Sequence, residues 1–173
     1  KELIKNKAYK EAISNLEKAL EYPENLEVGK PTHDEKNAMI YYYMGIAYSK
    51  MSEEKLAIKA YQKSADAENG PNMTELTFYQ AQSKKKLGNK EQSDKIFKTL
   101  IESGQALRNE GTDNILIAVE EVATTNNKAL SNSYYLEALG YLGLNENNKA
   151  QELLKKSLEI YRNHLWAKNM QDF

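Results

Sequence analysis

Along this chain the apolar residues recur at helical intervals, and four stretches share one pattern. Ala12-Ile13, Leu16 and Ala19-Leu20 make the first, and Ala57-Ile58, Tyr61 and Ser64-Ala65 the second. Ser93, Phe97 and Leu100-Ile101 make the third, and Ala150, Leu154 and Ser157-Leu158 the fourth. Each opens on a small residue, sets a large apolar one four positions later, and adds a pair at seven and eight. Those offsets fall on one face of an α-helix. A polar turn or helix breaker begins five residues ahead of each of the last three stripes: Ser52-Glu53, Gly88-Asn89 and Asn145-Glu146. The first stripe has Lys7 at that offset, preceded by Asn6, a weaker turn signal. Ahead of the turns run further helical segments, with Tyr41, Met44-Gly45 and Tyr48 in one and Tyr134, Ala138 and Tyr141 in another. A small residue with a tyrosine three later suits a tight helix hairpin. The small side chain lets two helices approach and the ring fills the space beside it.

The pattern predicts helices over 8–22, 34–51, 53–67, 72–87, 90–103, 131–144 and 147–161, paired antiparallel. Tyr41, Gly45, Tyr48, Ala57 and Tyr61 resemble the tetratricopeptide (TPR) signature, a 34-residue helix-turn-helix unit. The resemblance implies an all-α fold, a right-handed TPR-type superhelix of antiparallel helix pairs, in a single domain spanning residues 1–173. Its repeats lie at about 38–71, 74–107 and 131–164, with a partial repeat at 1–22. The third repeat departs from the signature, with Lys84 in place of a tyrosine and Ser93 in place of an alanine. The spacings also depart from the unit. Ala12 to Ala57 is 45 residues, Ala57 to Ser93 is 36, and Ser93 to Ala150 is 57. The excesses mark insertions at about 23–33, bounded by Pro23 and Pro31, and at about 108–130. Within the second, Ile115 to Val119 suggest the core of an extra helix, with a buried strand as the alternative.

Tyr22 to Lys30, Ala138 to Leu144 and Asn163 to Ala167 are similar to the C-terminal repeat region of large bacterial proteins, which carry a β-rich domain of unknown function ahead of it. That resemblance implies a segment of a longer protein. The chain starts at Lys1, inside a repeat and without a signal-peptide pattern. Such a start leaves Ile13, Leu16 and Leu20 without their usual neighbour. Either a contact with another chain, giving a homo-oligomer through exposed solenoid ends, or a fold-back of residues 1–6 is expected to cover them.

Charge narrows the partners. Lys+Arg is 24 against Asp+Glu 25, so neither a nucleic-acid footprint nor a polybasic membrane contact is expected. The longest apolar stretch, Ala38 to Tyr48, is too short to span a bilayer. Cysteine is absent, which removes disulfides and thiolate chemistry and suits the cytoplasm or the periplasm alike. His33 and His164 fall in expected turns without partners at catalytic or metal-binding spacing. Glu120-Glu121, neighbours on a helix, point different ways and read as a solvated face. No phosphate-binding or metalloprotease motif occurs. No cofactor, metal or catalytic residue is expected, and no enzyme activity.

The aromatic residues offer the one candidate site. Tyr42, Phe78 and Tyr135 occupy equivalent positions, one residue after a core position, in the three full repeats. Two readings stand: a stacking ladder gripping a peptide in a concave groove, or rings filling gaps between neighbouring first helices. On the first reading Lys50, Lys85 and Lys86 lie near the groove's edge and favour an acidic ligand. Tyr42 and Ile46 hold positions where the family's clamp for C-terminal carboxylates needs Lys, Arg or Asn, which argues against that clamp. The expected function is protein–protein interaction, with a peptide or partner domain, including a domain of the same parent protein, bound in the groove. A structural spacer or oligomerisation arm is the alternative.

Overall fold

The computed structural model describes residues 1–21, 36–68, 73–112 and 120–170, with the side chains of 110–112 and 120–125 excepted. Those residues form helices α1 (Glu2–Lys5), α2 (Tyr9–Lys18), α3 (Asn37–Lys50), α4 (Glu54–Ala65), α5 (Glu75–Lys86), α6 (Lys90–Thr112), α7 (Glu120–Gly143), α8 (Asn147–Ile160) and α9 (Leu165–Met170). No strand occurs among them, so the all-α expectation holds for the described residues.

The hairpin turns repeat one another atom for atom. Lys7, Ser52, Gly88 and Asn145 each take positive φ, of 60°, 62°, 86° and 65°. The N–H of the next residue then reaches back five positions: Ala8 to the Leu3 carbonyl (2.8 Å), Glu53 to Tyr48 (3.0 Å), Asn89 to Lys84 (2.9 Å) and Glu146 to Tyr141 (2.9 Å). The positive-φ residue itself donates three positions back in all four turns, at 3.1–3.2 Å. This is the left-handed helix cap, which satisfies two of the carbonyls a helix end leaves open. Each turn leads directly into the next helix. Ala12, Ala57, Ser93 and Ala150 donate to the carbonyls of Ala8, Glu53, Asn89 and Glu146, and all four small residues are buried. Ser93, standing where alanine is expected, donates its hydroxyl to the Lys90 carbonyl at 2.8 Å and so is not left unsatisfied.

Two compact units divide the chain, one of Lys1–Asn72 with Tyr79–Ser93, the other of Met73–Phe78 with Asp94–Phe173. In the first, Ile13, Ile40, Met44, Ala47 and Ala60 form a core, with Ile4, Leu16, Leu20, Tyr41 and Tyr48 partly buried against it. Ile4 belongs to α1, so residues 1–6 do fold back, and Leu16 is not left bare. Apolar residues surround α3 on every side, and seven of its residues are buried. Gly45 makes its pairing with α4 possible: a β-carbon there would lie 2.5 Å from the Tyr61 ring. One register is selected by Ser64, whose hydroxyl donates to the Ala38 carbonyl (2.6 Å) and accepts from Ser83 (2.7 Å).

In the second unit, α6 and α7 run so close that β-carbons at Gly104 and Gly140 would each meet a backbone oxygen at 2.5 Å, those of Ser133 and Phe97. Gly143 faces the Phe97 ring in the same way. Between α7 and α8, Ser131 and Ser157 each donate to the other's carbonyl, at 2.7 and 2.8 Å. Their 26-residue separation is the same as that of Ala38 and Ser64.

The core of the expected extra helix, Ile115 to Val119, lies outside the described residues. Residues 108–112 prolong α6, nine residues past its expected end at 103, and 120–130 belong to α7, which starts eleven residues before the expected 131. No proline interrupts either stretch, so the neighbouring helices run on into the insertion. Residues 113–119 lie outside the described residues, as do the insertion at 23–33 and His33. Helix α9 was not expected; it follows a turn at Arg162-Asn163.

Candidate functional site

All three rings of the expected ladder lie in the interior. Tyr42 is 3% exposed and Phe78 and Tyr135 are 0% exposed, so none presents a face to a ligand. The gap-filling reading fits their surroundings. Tyr42 sits 5.4 Å from the Tyr43 and Tyr79 ring centres and 6.2 Å from Tyr61. The Tyr43 and Tyr79 hydroxyls are 3.2 Å apart in the same cluster. Burial drives the Tyr42 phenol well above its ordinary proton affinity, and Tyr61 and Tyr79 add to the shift. Tyr61 is pushed up to about 12, by burial first and the Glu54 charge second. These are phenols that stay neutral and serve packing. Phe78 meets Phe97 at 5.9 Å, and Tyr135 meets the His164 ring at 4.7 Å.

The three lysines are placed differently. Lys50 ends α3 and Lys86 ends α5, both exposed, with Lys85 partly exposed beside Lys86. Positive charge in a last helical turn also complements the helix dipole, so the positions stabilise as well as present charge.

The sequence pattern did not point to the buried polar cluster between α6 and α7. Glu137, 6% exposed, pairs with Arg108 and accepts from the Gln105 amide at 3.0 Å. The Arg108 guanidinium carbon stands 4.4 Å from the centre of the Tyr134 ring. Its Nη1 is buried and has no hydrogen-bond partner among the described residues. A carboxylate set among Leu136, Ala138 and Leu139, all buried, was the available signal. The group joins two helices, and its acceptors and donors are mostly spent on one another. Two open hollows, of ≈ 440 Å³ by Lys7–Glu11 and Met51 and ≈ 450 Å³ by Asn145–Lys149 and Glu152, lie at hairpin turns. Among the described residues no cluster of His, Asp or Glu could hold a metal ion, and no helix is long and apolar enough to cross a membrane. The side chains of Glu120 and Glu121 lie outside the described residues.

No protein-family model, curated protein or solved structure matches the chain.

Proposed function

We propose that this chain is a protein-interaction scaffold of the tetratricopeptide type, binding a peptide or partner domain on exposed faces of its helix pairs. The observation that carries this reading is the fourfold recurrence of one helix-hairpin turn with a buried small residue five positions after it. Near-identical hairpins are what a stacked-repeat scaffold is built from, and such scaffolds work by presenting surface. With Tyr42, Phe78 and Tyr135 in the interior, recognition falls to exposed side chains, and Lys50, Lys85 and Lys86 become the contacts for an acidic partner.

Burial of all three rings also favours a second reading, a structural spacer with no ligand groove. Affinity capture with the whole chain tests both, using Lys50→Glu, Lys85→Glu and Lys86→Glu together as the control. On the first reading a saturable partner is captured, and charge reversal abolishes capture while the chain still melts cooperatively, its melting temperature lowered only by the lost helix-end charges. Capture unaffected by the reversal removes the lysines from the site. Absence of any saturable partner favours the spacer.

A further inference from the structure

Helix α9 is held at its start by one imidazole. His164 is its N-cap: Nδ1 accepts the Ala167 N–H at 3.2 Å, and the His164 carbonyl accepts from Lys168 at 3.1 Å. The ring is half-buried and meets Tyr135 of α7 at 4.7 Å. Beyond the cap, α9 has six residues and docks through Ala167 and Met170, which are 0% and 1% exposed. A helix this short has almost no stability of its own, so the cap and the docking residues hold it.

An Nδ1 that accepts a hydrogen bond carries no proton, whereas a protonated imidazole is a donor at both nitrogens. Protonation therefore breaks the cap. It also places a cation in a half-buried site and at a helix N-terminus, where the dipole opposes positive charge. All three effects have the same sign. The group that meets the ring from α7 is Tyr135, a phenol and uncharged in the acid range. The ionisable neighbours along the chain are Tyr161, Arg162 and Lys168. Among the described residues no carboxylate contributes to the proton affinity of His164.

We propose that His164 is a pH-operated latch that docks α9 when its imidazole is neutral and releases it when protonated. Burial holds the proton affinity of this imidazole below the ordinary 6.5, the backbone pulling the other way more weakly. The contribution of neutral His164 to docking is thus full above pH 6.5 and is lost as the pH falls from there through the lowered value.

The chain contains one tryptophan, Trp166, and it lies in α9, so fluorescence reads the latch directly. Between about pH 7.5 and about pH 5, Trp166 emission should shift to the red. Amide-exchange protection in α9 should fall by up to about tenfold per pH unit below the ordinary histidine value and level off below the lowered one. Protection at Leu153 and Leu154 in α8 should persist. His164→Asn, whose side-chain oxygen caps at any pH, should abolish the transition. The proposal is overturned if α8 and α9 lose protection together, if α9 protection does not change, or if His164→Asn shows the same transition. NMR titration of the wild-type imidazole gives an independent check. Its midpoint and that of Trp166 must coincide, and a gap of about one pH unit or more overturns the latch.

Discussion

Tyr42 shows what a residue's position along a helix can and cannot disclose. Its equivalence to Phe78 and Tyr135 was readable from spacing, and all three share one fate in the structure, burial. Which side they serve was not readable, because α3 is apolar all round and offers no polar stripe to orient it. Tyr42→Ala should cost roughly 3 kcal/mol or more, as truncation of a buried aromatic does, and urea denaturation would show it. A loss under about 1 kcal/mol would return the ring to the surface. Gly88 gives a cleaner residue-level test. Its φ is +86° and a β-carbon there would meet nothing within 4 Å. Gly88→Ala should therefore cost about 1 kcal/mol from backbone conformation alone. If stability is unchanged, the positive φ is not held.

Pairs of helices are tied by buried polar groups as well as by apolar burial. The reciprocal Ser131–Ser157 bonds and the Ser83–Ser64–Ala38 chain each permit a single register, because sliding by one turn would strand hydroxyls without partners. The stripes containing Ser64 and Ser157 were visible beforehand, but not their partners on the facing helix, since a serine in an apolar stripe reads simply as small. Helix lengths were predicted well where a turn residue closed the hairpin and poorly at 108–112 and 120–130, where α6 and α7 run past their expected ends. The Arg108–Glu137 pair joins α6 to α7 with side-chain exposures of 19% and 7%. Glu137→Ala should cost on the order of 3–5 kcal/mol, because the arginine then stays buried without its counter-charge. Replacing both residues by methionine should cost less than the single change, and calorimetry on the three variants would decide. A double variant as damaged as Glu137→Ala would mean that shape, not charge, holds the helices.

At the level of the whole chain, unit membership does not follow chain order. The unit that starts at Lys1 takes in Tyr79–Ser93 as well as residues up to Asn72. Tyr79 packs on Tyr42 and Tyr43, and Ser83 bonds Ser64, within that unit. A fragment of residues 1–72 should therefore lack a cooperative melting transition that a fragment of residues 1–93 retains, as followed by circular dichroism. Equal transitions in the two would refute the division. The turns at Lys7, Ser52, Gly88 and Asn145 have a different consequence. The two hydrogen bonds that close each of them use main-chain atoms only. A lysine, a serine, a glycine and an asparagine perform the same mechanical task, and at every joint but the glycine the residue carries the cost of positive φ. They are places where the molecule can be relabelled by an unbranched residue with its joints left standing, at a cost of about 1 kcal/mol where glycine is replaced.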